Sequence, residues 1–447
     1  MAYRILDGVR IIDMTMVYAG PVATKIMAEL GAEVIKVESI QRADVFTRAN
    51  VYPENEPGDD PWNRGSNFHT LNAGKKGISL NMGDQRGRNI FKRLVALADA
   101  VVENYSPRVM DQWGLGYEEL RKVKPDIVMV SLSGLGHTGP LRDSYMYVPG
   151  MEGMGGLTHL TGQPDAAPML TGHAYGDWVG GANAAAALMT ALFFRQCTGR
   201  GQYVDVSGRE AVACHLGDRI MDYTLNGRDP IRTGNDDPVA VPHGCYRCKG
   251  DDRWVNIAVQ NDAQWVAMCR AAGNPEWAQD GRFATAAARR TNREALDRVI
   301  EGWTCNLENV EVMRILQAVR VPAGAVLDMK GVSLDRHLHE RGFFYSIEHG
   351  PGVGVRPVPS QIPAKFSGID GFVPKRAPRF AEDDDYVYSG LLKMSPEEIQ
   401  KLTEDQVIGG LPSFPRGRPT RKDLIGQQGS GWFDPNYSDE IRRRYGA

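Results

Sequence analysis

Short apolar runs alternate with helix-length amphipathic segments through the first third of the chain. Residues 9–14 (VRIIDM) form a β-branched run, the stretch after Pro21 has helical character up to Gly31, and 32–37 (AEVIKV) reads as a second strand. A helix over about 86–97 precedes a strand at 100–103, and 126–131 (DIVMVS) supplies another. Strands separated by helix-length segments predict a parallel sheet with crossover helices. A segment such as IVMV, apolar at every position, predicts burial on both faces. The expected fold class is therefore α/β, with a parallel sheet as the large domain.

The pattern then changes twice. Residues 134–176 are dense in glycine yet carry many apolar side chains, which predicts an irregular but ordered connection that lets backbone approach something closely. From Asp177 an alanine-rich helix is expected, stopped by Gly199 and Gly201 and followed by a strand at 203–206. Beyond Asn226 a strand at 254–259 (WVNIAV) precedes helical segments over 262–318. We therefore expect a large domain over 1–225, a smaller α+β domain over 226–325, and a return to the large domain over 326–447. Within that return, 351–363 and 374–378 are proline-rich connections, 395–405 is a helix capped by Ser395, and the last 35 residues form a surface arm.

The length of 447 residues agrees with two or three domains, and 42% hydrophobic with 24% charged residues is an ordinary globular balance. A net charge of −3 excludes a general nucleic-acid or anionic-membrane binder, and no apolar stretch is long enough to span a bilayer. The first residues lead straight into a strand without a signal-peptide apolar region, and six scattered cysteines point to reduced thiols, so a cytoplasmic location is expected. Cys245 and Cys248 have the spacing of half a zinc site, but no second pair exists. Two partly buried thiols flanking a turn are expected instead, and no metal.

Candidate chemistry starts with what is missing. The loop after the first strand, 15–21 (TMVYAGP), has no G-x-G-x-x-G, and the chain has no P-loop, so the usual nucleotide cradles are absent. Asp177 is the carboxylate of most interest, because it stands between the glycine-rich tract and the start of a long helix. There the helix terminus favours its ionised, nucleophilic form. An Asp in that place also serves as a plain helix cap.

The opening LDGVRIIDMTMVYAGPVATKIMAELGAEVIKVES resembles that of the family III CoA-transferases, which include formyl-CoA transferase and carnitine CoA-transferase. Further segments agree in order: NAGKKGISLNM (72–82), VVENYSPRVMDQWGLGYEEL (101–120), SLSGLGHTGP (131–140), GLTHLTGQPDAAP (156–168), GDWVGG (176–181), TGRGQYVDVS (198–207), PHGCYRCKG (242–250) and MSPEEIQKL (394–402). Together they cover nearly the whole chain.

The resemblance implies a Rossmann-like large domain built from both ends of the sequence, in a dimer whose two chains pass through each other like linked rings. It implies ping-pong transfer of coenzyme A from an acyl-CoA to a carboxylic acid, with Asp177 passing through an anhydride and an aspartyl-CoA thioester. Glycine-rich backbone at 150–156 would then stabilise the oxyanions. For coenzyme A it suggests Val17, Tyr18, Ala19, Asn104 and Tyr105, with Lys75, Lys76 and Arg108 as cationic partners.

Tyr18 stands where some members carry glutamine, which would shrink and dry the pocket. The histidine of the family's racemases is missing from 142–148 (RDSYMYV), which disfavours an isomerase, while His137 reads as structural. The acidic run 382–385 (EDDD), where relatives show Gly-Glu-His-Thr, reads as a solvated loop. Tyr18, Met146, Tyr147, Met151, Met154, Tyr175 and Trp178 suggest a bulky or aromatic acid such as benzylsuccinate, with succinyl-CoA as donor. Partners expected are therefore an acyl-CoA, a carboxylic acid, and a second copy or a homologous subunit. A non-catalytic subunit of a heteromer is the remaining alternative.

Overall fold

The computed structural model describes residues 4–49, 51–369, 375–413 and 436–445. Most of the expected carboxy-terminal arm, 414–435, lies outside the described residues. The chain divides into two compact units, one of Met1–Leu157, Leu170–Met221 and His337–Ala447, the other of Thr158–Met169 and Asp222–Arg336. The smaller unit is thus wider at both ends than the expected 226–325. It also takes in part of the glycine-rich tract, held by a Gly234 N–H to Gly162 C=O bond of 3.1 Å and by His159 Nε2 at 3.1 Å from the Pro230 carbonyl. No apolar periodicity marks so short a polar segment, so its attachment was not readable from pattern.

The larger unit is a doubly wound sheet. Its elements run β1 (Arg10–Met14), α1 (Ala19–Glu29), β2 (Glu33–Glu38), α2 (Ser66–Asn72), β3 (Lys76–Ser79), α3 (Gln85–Val95), β4 (Ala100–Glu103), β5 (Val128–Ser133), α4 (Val148–Met154), α5 (Tyr175–Thr198), β6 (Tyr203–Ser207) and α6 (Gly208–Ala213). All neighbouring strands are parallel, in the order β3-β2-β1-β4-β5-β6. Strand order reverses between β1 and β4, and the crevice at such a point is where sheets of this kind take ligands.

Successive strand residues serve opposite faces. Ile12, Ile35, Ile78 and Val101 pack under Ile90, Phe91 and Leu94 of α3. Ile11, Val34, Ala100 and Val128 pack under Met27 of α1 and Ala184, Ala185 and Leu188 of α5. Helix α5 approaches α1 closely at Gly181, where a Cβ would lie 2.5 Å from the Ala19 carbonyl oxygen and 2.8 Å from Val22. It ends as its sequence predicts, on Gly199 at φ +70, whose N–H bonds to the Arg195 carbonyl at 2.8 Å.

The smaller unit is α+β. It contains β7 (His243–Arg247), β8 (Trp254–Ala258), α7 (Asp262–Ala271), α8 (Arg293–Thr304), α9 (Asn309–Ala318) and β9 (Ala323–Ala325), with the strands antiparallel in the order β7-β8-β9. Its core joins Val255 and Ile257 to Trp265, Met268, Leu296, Ile300, Val312 and Leu316. Cys245 lies within β7 and Cys248 just past its end, so both precede the turn rather than flanking it; Cys248 is buried in this core.

The returning chain forms the hairpin β10 (Phe344–Glu348) and β11 (Val355–Pro359), then α10 (Pro396–Glu404). Helix α10 carries the capping box of Ser395 and Glu398. Val387, Tyr388, Leu402 and Ile408 complete the core over α3. The acidic run is no solvated loop. Asp383 accepts from the Gly77 N–H at 2.8 Å, and Asp384 accepts from the Ser79 N–H at 2.9 Å and its Oγ at 2.8 Å. These carboxylates occupy hydrogen-bonding groups of edge strand β3 that would otherwise stand open.

Candidate active site

Helix α5 begins abruptly. Ala174 precedes it in the left-handed region at φ +45, and Tyr175, Gly176 and Asp177 form the first turn. Asp177 is 9% exposed. Among the described residues its carboxylate has no hydrogen bond or ion pair. Burial first, and the nearby Glu152 second, raise it to about 7. The helix terminus, worth roughly 0.3–1 kcal/mol to a carboxylate, is therefore outweighed. The expectation that it keeps Asp177 fully ionised is corrected accordingly.

Aromatic rings surround this turn. Trp178 stacks on His173 with centroids 5.9 Å apart and meets Tyr18 at 6.2 Å, and Tyr18 meets Phe46 edge-on at 6.2 Å. The Tyr18 hydroxyl accepts from Asn67 Nδ2 at 2.6 Å. The indole Nε1 of Trp178 is buried and finds no hydrogen-bond partner among the described residues. Of the other apolar side chains expected here, Met151 is buried in the fold, while Tyr147 and Met154 are exposed.

The glycine-rich backbone is not free to bind an oxyanion. Residues 148–154 are helical, and the N–H groups of Gly150, Gly155 and Gly156 bond to the carbonyls of Tyr147, Met151 and Gly153. Apolar residues at helical spacing (Val148, Met151, Met154) overrode the glycine content there.

The loop after β1 is held from below and from both sides. Val17 takes φ +66, an unfavourable backbone for a β-branched residue. Asn104 accepts from the Met16 N–H at 2.7 Å and donates to the Met16 carbonyl at 2.8 Å, and Asp44 accepts from the Val17 N–H at 3.1 Å. Ala19 is the first residue of α1.

Beneath the loop Asp13 and Lys75 form an ion pair of 2.9 Å with no solvent exposure of either side chain. Lys75 Nζ also donates to Thr24 Oγ1, Asn72 Oδ1 and the Pro21 carbonyl. Burial pushes Asp13 up, but Lys75 and Lys36 outweigh it and hold its carboxyl at about 2. Burial lowers Lys75 to about 8 despite Asp13. Lys75 is thus a structural ammonium with all its protons engaged, not a phosphate partner. Adjacent lysines in sequence do not reveal which one points inward.

At the carboxyl ends of β1 to β4 lies a cavity of about 1830 Å³ lined by Met16, Arg42, Trp62, Asn81, Tyr105 and Trp113, among others. Tyr105 meets Trp113 edge-on with centroids 5.4 Å apart. The remaining expected residues, Asp177 included, are not part of this lining. Lys76 lies 3.9 Å from Asp383 and over the Tyr386 ring, and Arg108 pairs with Asp143 at the surface.

Two functional candidates escaped the sequence reading. Arg42 lines the cavity with no pairing of its guanidinium among the described residues; its signal was its place four residues past a strand's carboxyl end. Glu152 is the lone charge in the segment VPGMEGMGGL, and it is 1% exposed. Another buried acid, Glu103, is raised to about 7 by burial; it accepts from the Tyr105 N–H at 2.8 Å and lies 3.6 Å from His137 Nε2.

Residues 6–384 match the family described as CoA-transferase family III. A "Succinyl-CoA--D-citramalate CoA-transferase" of Chloroflexus aurantiacus is 32% identical over 405 residues, covering 91% of this chain and 98% of that protein. The alpha subunit of a "Succinyl-CoA--L-malate CoA-transferase" from the same organism is 32% identical over 404 residues, with 90% and 92% covered. A "CAIB/BAIF family protein from Brucella suis" superposes with a TM-score of 0.78 at 32% identity, over 87% of this chain and 99% of that one.

Proposed function

This chain belongs to CoA-transferase family III, and from that premise we propose that it moves coenzyme A from succinyl-CoA to a second carboxylic acid, with Asp177 as the acyl carrier. The observation that carries the reading is Asp177 itself, a nearly buried carboxylate on the first turn of a helix that no cation or donor among the described residues neutralises. Such a group is poorly solvated and gains by becoming a neutral acyl derivative.

The Asp177 carboxylate attacks the thioester carbonyl, the C–S bond breaks, and the thiolate leaves with the electron pair. The thiolate then attacks the Asp177 carbonyl of the resulting anhydride, which gives an aspartyl thioester and frees the donor acid. An acceptor carboxylate runs the two steps in reverse and restores Asp177. The Trp178 indole N–H, unpartnered among the described residues, is the donor best suited to the developing oxyanion, in place of the glycines of 150–156.

The cavity at the switch point suits the nucleotide end of the thioester. Arg42 would meet a phosphate, and Tyr105 and Trp113 offer aromatic faces. The clamped loop of Val17, Tyr18 and Ala19, fixed by Asn104, would guide the pantetheine arm. Lys76 and Arg108 would contribute only by leaving their present carboxylates.

The relatives' aliphatic hydroxy-dicarboxylates argue for a small dicarboxylate acceptor. The ring cluster of Tyr18, Trp178, His173 and Phe46 favours a second possibility, a bulkier acid such as benzylsuccinate.

Incubating the purified chain with succinyl-CoA and acids from malate and citramalate to mesaconate and benzylsuccinate, with mass spectrometry of the thioesters, tests the reading. A new acyl-CoA that vanishes in Asp177→Ala supports it. Transfer that survives that substitution overturns the nucleophile. Transfer that appears only with a homologous second chain makes this the subunit of a heteromer.

A further inference from the structure

Glu152 takes no part in the bond changes just described, yet it is built into the nucleophile's surroundings. Its carboxylate accepts from the Thr171 N–H at 3.2 Å, Thr171 Oγ1 at 3.0 Å and the Gly176 N–H at 3.4 Å. Those donors bracket the approach to Asp177. Thr171 opens the segment that turns through left-handed Ala174, and Gly176 is the residue before the nucleophile. Helix α4, which carries Glu152, packs against both α5 and α6.

The two acids live in opposite environments. Glu152 is buried and accepts three hydrogen bonds; Asp177 is buried and, among the described residues, accepts none. The other ionisable groups on elements packed against α5 are occupied or turned away. Lys25 and Glu29 of α1 pair at 3.2 Å, Asp205 of β6 takes the His137 N–H, Arg209 of α6 donates to the Met154 carbonyl, and Glu210 is exposed. β5 carries no charge, and the charged group that acts on the Asp177 carboxyl is Glu152.

We propose that Glu152 is the positioning residue of Asp177: it locks the first turn of α5 and sets beside the nucleophile a fixed negative charge that acylation relieves. This rests on Asp177 being the acyl carrier. While Asp177 is an anion, the two charges repel in a dry setting. When its oxygen bonds to the acyl carbon and the C–S electron pair departs on the thiolate, Asp177 becomes neutral and the repulsion ends. The ground state is raised more than the covalent states, which is how binding and folding energy accelerate a step.

The test uses the donor half-reaction, in which ¹³C-succinate exchanges into succinyl-CoA, so that the acceptor need not be known. In Glu152→Gln the acidic limb of kcat/KM should move down by about one pH unit or more, as expected on removing a like charge. Its plateau should fall roughly tenfold, with KM for succinyl-CoA nearly unchanged. Thr171→Val, which keeps the carboxylate but removes one donor, should move the limb by a smaller amount. It replaces Glu152→Gln if that variant fails to fold. An unmoved pH limb in a folded variant overturns the proposal.

A second measurement needs no activity. In a thermal-unfolding cycle of Glu152→Gln, Asp177→Asn and the double variant, the proposal requires that Asp177→Asn stabilise the protein more with Glu152 present than with Gln, at pH 8 but not at pH 5. Additive effects at both pH values overturn it. An Asp177→Ala enzyme that still exchanges succinate sinks the nucleophile assignment instead, and the cycle tells the two failures apart.

Discussion

At the residue scale the proposed chemistry turns on one acid, unpaired among the described residues. Asp177 sits at about 7 in the fold, against 3.8 for a free aspartate, first through burial and then through Glu152. Between those values the folded chain holds a proton that the unfolded chain releases, so stability falls as pH rises from about 4 to 7. Asp177→Asn removes that loss. Its apparent Tm should match the parent near pH 4 and exceed it by roughly 2–4 °C at pH 8, measured by differential scanning fluorimetry. The same substitution should lower succinate exchange by roughly 10³-fold or more, because the amide is no nucleophile for the thioester. Gain of stability with loss of activity is the signature of a site strained for function.

At the element scale, two contacts decide where the site's parts stand. Helix α5 reaches α1 only because position 181 has no side chain. Gly181→Val forces a methyl-bearing carbon into the Ala19 carbonyl, should destabilise the larger unit by roughly 2–3 kcal/mol in urea unfolding, and should displace Asp177 enough to lower exchange. At the sheet edge, Tyr388 is fully buried and donates its hydroxyl to the Ser79 carbonyl at 2.5 Å, beside Asp384. Tyr388→Phe should cost about 1–2 kcal/mol in the same measurement and leave the acidic limb of activity where it was. Burial raises Asp384 to about 7, so its ionisation, like that of Asp177, removes stability as pH climbs toward neutrality.

At the scale of the whole molecule, a single chain leaves large apolar side chains in water. In the larger unit Tyr145 is 89% and Phe193 67% exposed; in the smaller, Leu225 is 71% and Ile231 75% exposed. Side chains of this kind, spread over both units, suit a chain that is covered by a second one. The protein should therefore sediment at about twice its 49.3 kDa at micromolar concentration, alone or with a homologous subunit. A monomer with full exchange activity would exclude the linked-ring dimer.

Local pattern determined a good deal here. The apolar runs of VRIIDM and IVMV, the alanine-rich helix and its stop at Gly199 follow from propensity and from which faces must leave water, and these are properties of neighbouring residues. Asp177 stood out because a single acid at the start of a long helix is a local feature, but that position equally fits a plain cap, and its proposed role came from the family resemblance. The tertiary structure alone decided the rest. Lys75 and Lys76 read alike until Asp13, 62 residues away, claims the first of them. The acidic run read as solvent-facing until a strand edge some 305 residues away accepted it. Glu152 became a candidate only when the fold bonded it to Gly176, the residue before Asp177. Burial and partnership between distant residues determine charge state, and no periodicity along the chain encodes either.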